Sequence, residues 1–332
     1  MVARPFKSPD DLDTMVKLIK DGFQYPENEA WSIQDDKVEN IADEVAMIRK
    51  LRFLFKFLGL FFSPIKDMMS GYIWEEDGKA VALVNVSPKG LNKSAWTIGN
   101  VVVLPEHRRK GIARKLVTAT IDYARRKKAD TVMLDVIAGN TPALKLYESL
   151  GFENYGGVVE LEYDPTDKPT QEQPLPPEYS LIKYESKDWK LRYELTKRIT
   201  PDIVQKYEAV TKSRFHRPLL MRAMRVIVLK LAPFSGHLYL IRHDGSDTIV
   251  GQIHYMTRKN EGGINEMEIM LDPAHSNIAG ALVNTMVSRI VAQAPGRRIE
   301  MFMPRWQNHV IDAVQRFGFT QRCEGYTMGI VL

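Results

Sequence analysis

Val101-Val102-Val103-Leu104-Pro105-Glu106-His107-Arg108-Arg109-Lys110-Gly111-Ile112-Ala113 is the stretch on which the reading of this chain turns. A β-branched run stops at a proline and a basic loop follows. Ile112 then opens a segment with Leu116, Ile121 and Ala124 on one helical face. The first amides of a helix lack internal partners, and with the positive end of the helix dipole they suit a pyrophosphate. Gly111 and Ala113 let an anion approach the backbone, and Arg108, Arg109, Lys110 and Arg114 surround it with positive charge. Alone, this pattern also describes an ordinary turn with a solvated basic rim.

A second segment narrows the choice: Asn140-Thr141-Pro142-Ala143-Leu144-Lys145-Leu146-Tyr147-Glu148-Ser149-Leu150-Gly151-Phe152. Asn140 suits a helix N-cap, because its side-chain oxygen can accept an exposed amide proton. Ala143 and Tyr147, four residues apart, share a face, and Gly151 stands where a helix end favours a left-handed residue. The order Pro105, Arg108-x-x-Gly111-x-Ala113 resembles motif A of the GNAT N-acetyltransferase superfamily, and Asn140 to Phe152 resembles its motif B.

That resemblance implies an acyl-CoA lying across a splay between the fourth and fifth strands. The backbone of Val101, Val102 and Val103 would hold the pantetheine arm. Arg108, Arg109, Lys110, Gly111, Ile112, Ala113 and Arg114 would hold the pyrophosphate, with Asn140, Ala143 and Tyr147 completing the cofactor site. Gly99-Asn100 fits the bulge that such proteins carry on the fourth strand. The implied reaction is direct attack of an amine on the thioester of acetyl-CoA, without a metal, with Tyr147 as general acid for the leaving thiolate. Ala95 to Asn100 offers no carboxylate as base; Glu160, Glu162 and His107 are candidates among which the sequence does not choose.

The chain repeats this plan. Asp164 to Glu178, DPTDKPTQEQPLPPE, reads as an extended connector. On either side, Gly78 and Gly245, Pro105 and Pro273, and Gly151 and Gly318 are separated by 167 or 168 residues. An apolar helix precedes a strand pair in each half, at Val45–Leu60 and Pro218–Leu231. A duplication follows: a GNAT domain at 1–164, a linker at 165–178 and a degenerate GNAT-like domain at 179–332. The expected fold class is α/β, as tandem GNAT folds, each a mixed central sheet with helices on both faces. The second half has no Arg-x-x-Gly-x-Ala, and Gln307 and Val314 stand in the places of Asn140 and Tyr147. We therefore expect it to shape or support rather than to catalyse.

Composition agrees with a globular protein: 332 residues, 44% hydrophobic and 26% charged. One cysteine, Cys323, excludes a disulfide framework and fits a cytoplasmic setting, and the N-terminal segment has no apolar core of an export signal. Leu51–Phe62 is apolar but interrupted by Arg52 and Lys56 and too short to span a bilayer. That helix, with Trp31, Trp74 and Trp96, belongs either to the core or to an acceptor pocket. A net charge of +5 suits an anionic ligand, and no basic stripe extends far enough for a nucleic acid. The expectation is an acyl-CoA-dependent N-acyltransferase with a small-molecule or peptide amine as acceptor, without nucleic-acid or membrane partners. The alternative is a non-catalytic acyl-CoA sensor or scaffold.

Overall fold

The computed structural model describes residues 2–54, 57, 67–89, 94–165, 173–259 and 262–332, excepting the side chains of Val2 and of 223–227. Most of the Leu51–Phe62 segment and half of the 165–178 connector lie outside the described residues. The chain divides into two compact units. Unit 1 is Met1–Tyr155 with Ile203–Ala209 and Tyr326–Leu332; unit 2 is Gly156–Asp202 with Val210–Gly325.

In unit 1, β1 (Val2–Pro5), β2 (Ser70–Glu76), β3 (Lys79–Pro88) and β4 (Ala95–Val103) are successive antiparallel neighbours. β5 (Thr131–Ile137) runs parallel to β4 and is reached through the crossover helix α3 (Ile112–Arg126). Strand alternation sorts the side chains into two layers. Ile73, Leu83 and Val102 face α1 (Leu12–Gly22) and α2 (Asp35–Lys50), meeting Leu12, Met15, Leu18 and Val45. Ala82, Val84, Trp96 and Ile98 face α3, meeting Leu116, Val117, Ile121 and Ala124. α4 (Thr141–Glu148) packs Tyr147 into that second layer.

Unit 2 repeats the order. β7 (Tyr179–Lys183), β8 (Phe234–His243), β9 (Thr248–Arg258) and β10 (Asn265–Leu271) are antiparallel neighbours, and β11 (Ile299–Pro304) is parallel to β10. Helices α5 (Trp189–Ile199), α6 (Asp202–Tyr207), α7 (Lys212–Phe215) and α8 (Leu219–Leu231) precede β8. α9 (Ala279–Gln293) crosses from β10 to β11, and α10 (Asn308–Phe317) follows. α5 covers one face, through Leu195 and Ile199 on Leu240 and Met270. α9 and α10 cover the other, on Ile253, Ile269 and Leu271.

The connector is not where the units divide. Beyond α4 a single strand, β6 (Glu153–Tyr163), crosses the boundary, and its residues from Gly156 on belong to unit 2. There Val158 to Tyr163 pair antiparallel with β11, and Val159, Leu161 and Tyr163 enter its core. Gly157 is required at this point: a Cβ would stand 2.8 Å from the carbonyl oxygen of Gly325 and 2.7 Å from Arg305. In return, residues 326–331 of β12 (Thr320–Val331) lie beside β5 in unit 1. Met328 is buried in that core, and Leu332 donates its N–H to Asp130 O at 2.9 Å. Ile203–Ala209 also joins unit 1, with Tyr207 stacked on Tyr155, ring centroids 4.5 Å apart. Each apolar strand carries the same local pattern in either unit, so composition could not place these segments.

Candidate active site

β4 and β5 are paired only at Ala95–Thr131, Trp96–Val132 and Thr97–Met133, although β4 continues to Val103 and β5 to Ile137. Past Thr97 the two strands diverge, and the gap leads toward the start of α3. Between Gly99 and Val102, β4 holds one more residue than β3 opposite it, a bulge in which Asn100 is left-handed at φ 49°. Leu104 donates its N–H to Val81 O at 3.0 Å, so strand alternation turns the amide of Val103 the other way, toward the gap. The sequence expected backbone contacts from all of Val101–Val103; alternation turns Val101 and Val103 to the gap and Val102 to β3, with the Val102 side chain buried against α1.

At the far end of the gap, Pro105–His107 form a 3₁₀ turn and Arg109 and Gly111 are left-handed, φ 65° and 75°. Gly111 is the N-cap of α3, and the first helical bond runs from Lys115 N to Gly111 O at 3.2 Å. The amides of Ile112, Ala113 and Arg114 precede that bond and are unused by the helix. A Cβ on Gly111 would meet no heavy atom within 4 Å, so the cradle is open while the backbone conformation still demands glycine. Arg109, Lys110 and Arg114 are exposed around it, whereas the Ile112 side chain is core.

Arg108 is engaged differently. Its Nε donates to Val103 O at 3.1 Å and its Nη2 to Gly22 O at 2.9 Å, and its guanidinium lies 5.2 Å from the ring centroid of Tyr25. These bonds tie the end of β4 to the end of α1, so its side chain positions the loop. His107 Nδ1 lies 2.8 Å from Glu76 Oε2, with Lys110 Nζ 3.5 Å from the same oxygen.

Asn140 caps α4 as expected, its Oδ1 accepting from Ala143 N at 3.3 Å. One turn on, Tyr147 is buried edge-on to Phe152, with Ala143 packed beside it. Burial pushes the Tyr147 phenol above its ordinary value and the neighbouring Tyr25 adds to the shift, so it stays protonated at neutral pH. Trp31 stands edge-on to Tyr25, centroids 5.8 Å apart, and against Gly139, where a Cβ would meet its ring at 3.0 Å. Trp31 thus borders the site, whereas Trp74 and Trp96 are core.

Residues 43–152 match the acetyltransferase (GNAT) family. This segment belongs to the GNAT acetyltransferase family. Over 153 residues, 46% of each chain, the protein is 28% identical to the mycothiol acetyltransferase of Thermobispora bispora. Over 70 residues, 21% of this chain and 46% of the relative, it is 37% identical to the ribosomal protein bS18-alanine N-acetyltransferase of Escherichia coli. The matches thus span less than half the length of these curated relatives. A solved tandem GNAT protein from the clavulanic acid biosynthesis pathway, without acetyl-CoA, superposes with a TM-score of 0.64. That match is 15% identical and covers 99% of this chain and 98% of the other, which shows the tandem GNAT fold for the whole chain.

Two carboxylates of the GNAT unit escaped the sequence reading. Asp135 lies on β5, two residues past the last β4–β5 pair, exposed between the buried Leu134 and Val136. Although solvent reaches it, surrounding protein strips its hydration and raises its carboxyl above the ordinary value; Glu208 adds to this, while Thr327 and Lys89 oppose it. Its signal was available: one charge in the otherwise apolar Thr131–Ile137. Glu208 was not legible, because only the tertiary structure brings Ile203–Ala209 to this unit. By contrast, Glu160 and Glu162 belong to unit 2, where Glu160 accepts from Arg322 at 2.6 Å and Glu162 from Arg298 at 2.5 Å.

The second GNAT-like unit has the same opening but fills it. β10 and β11 pair at Asn265–Ile299 and Glu266–Glu300 and then separate. Asp272 N bonds Val250 O at 2.7 Å, as Leu104 bonds Val81, which makes Leu271 the counterpart of Val103. Leu271 N donates to Gln307 Oε1 at 3.0 Å, and Leu271 O lies 3.2 Å from His309 Nε2. The polar edge that Val103 turns toward the gap in unit 1 is occupied here by the chain's own side chains. Val314, fully buried, replaces the phenol.

Proposed function

We propose that unit 1 binds acetyl-CoA in the β4–β5 gap and transfers its acyl group to a primary amine by direct attack. The observation that carries this is the ladder ending at Thr97–Met133, with the Val103 amide turned into the gap and the α3 amides at its end. The open, glycine-lined cradle fits a pyrophosphate. The amides of Ile112, Ala113 and Arg114 would hold it, with Arg109, Lys110 and the Arg114 side chain supplying charge. Acetyl-CoA supplies the activated thioester. The chain's own share is to hold the carbonyl against the strand edge and to keep a proton on Tyr147 Oη for the sulfur that leaves. The reading agrees with the names of the relatives, which are acetyltransferases.

The test pairs two measurements: calorimetric titration with acetyl-CoA, and free-thiol release with a panel of amines. Tyr147→Phe should leave acetyl-CoA binding within about twofold and lower kcat on the order of 100-fold, the usual contribution of a general acid. Unchanged kcat would remove Tyr147 from the chemistry. Tight acetyl-CoA binding with no thiol release from any amine would make the protein a binding module.

A further inference from the structure

On the face of β5 opposite α3, three chain segments meet around Met133, the last residue of β5 paired with β4. From the first segment come Lys89, at the end of β3, and Met133, Asp135 and Tyr155. Glu208 comes from Ile203–Ala209, and Thr327 from the C-terminal strand. Glu208 is held from two sides: Tyr155 Oη donates to its Oε1 at 2.7 Å, and Lys89 Nζ is among the groups that pair with its carboxylate, at Oε2. Both Lys89 Nζ and Tyr155 Oη also rest on Met133 Sδ, at 3.9 and 3.8 Å. Tyr207 and Thr131 fix the incoming segment: Thr131 Oγ1 donates to Tyr207 O at 2.7 Å. Glu208 is therefore clamped, while Asp135, hydrogen-bonded with Thr327, is the exposed residue of β5. Asp135 and Glu208 thus set two carboxylates beside the Lys89 ammonium, two residues past the point where β4 and β5 part.

We infer that this recess selects the acceptor: Asp135 contacts a cationic amine, and Glu208, delivered from beyond the linker, is a specificity-determining residue that acts through its charge. The inference rests on the acyl-transfer reading and narrows its acceptor class to amines that arrive as ammonium ions and release one proton to solvent before the neutral nitrogen attacks. Neutral and anionic acceptors lose the attraction, and anions meet repulsion. Lys89 tempers the field and holds Glu208 in place.

The experiment measures acceptor KM for the best amine of the panel in the full chain, alongside acetyl-CoA affinity. Glu208→Gln keeps an acceptor oxygen for Tyr155 and removes the charge. It should raise acceptor KM on the order of tenfold, the effect of one unit charge at this range in a partly solvated recess, with acetyl-CoA affinity unchanged. Asp135→Asn should raise it at least as much. Lys89→Met should move KM the other way, lowering it several-fold for a cationic acceptor. A merely structural role would give the two members of the Lys89–Glu208 pair effects of the same sign. Equal rises in KM from Glu208→Gln and Lys89→Met, or turnover preferring an uncharged or anionic acceptor, overturns the inference and leaves acyl transfer standing. Acetyl-CoA binding with no amine turned over by the wild-type chain removes acyl transfer itself, and this inference with it.

Discussion

Met328 lies four residues before Leu332, yet it is 1% exposed in the core of unit 1, against the layer that holds Trp96, Leu134 and Tyr147. Met328→Ala removes a buried thioether chain and leaves a cavity, a change that costs about 2–5 kcal/mol in well-packed cores. Taking about 3 kcal/mol, and 1.4 kcal/mol per factor of ten, amide protection governed by opening of that core should fall on the order of 100-fold. Hydrogen exchange read by mass spectrometry resolves where. Peptides covering 95–103 and 131–137 should lose protection, while those covering 248–258 and 265–271 keep most of theirs. Division of the chain at its proline-rich connector would put Met328 in the other unit. Loss confined to 248–271, with 95–103 and 131–137 unchanged, would refute the exchange of terminal strands.

Other consequences can be measured on single variants. Gly111→Ala meets no steric obstacle at Cβ, but its φ of 75° should cost about 1–2 kcal/mol in an L-residue. Chemical denaturation should show that loss, together with weaker acetyl-CoA binding. Asp11 accepts from Arg4 at 2.7 and 2.9 Å and from Lys7 N at 2.7 Å, and the Arg4 guanidinium holds its carboxyl below the ordinary 3.8. Since the folded value is the lower one, this stabilisation is complete above pH 3.8 and is lost as pH falls below it. Asp11→Asn should cost about 2 kcal/mol at pH 7 and flatten that acid limb in thermal melts. Gln307→Ala strands the buried Leu271 N–H, which should cost about 1–3 kcal/mol in unit 2. Titration of that variant should still give one acetyl-CoA per chain; a second equivalent would mean that the plug alone silences this unit.

The local chemistry of the site was legible because it is local. Gly111 at a left-handed helix N-cap, Asn140 as the cap of α4 and the basic loop are each fixed by a few neighbouring residues. The duplication was legible too, since it repeats along the chain at constant spacing. Side-chain partners were not: Arg108 belongs to a charge-rich motif, yet Gly22 and Val103 take its donors.

The sequence by itself determined a duplicated α/β plan and one basic loop opening a helix, through periodicity, turn chemistry and constant spacing, and the resemblance to motifs A and B named the fold. Only the tertiary structure decided which segments complete each unit. Val158–Tyr163 left the first half for unit 2, while Ile203–Ala209 and Tyr326–Leu332 crossed to unit 1. An apolar strand specifies that it will be buried in a sheet, but not in which unit. That choice is made by the register and packing of partners over a hundred residues away, and it sets Glu208 beside Asp135.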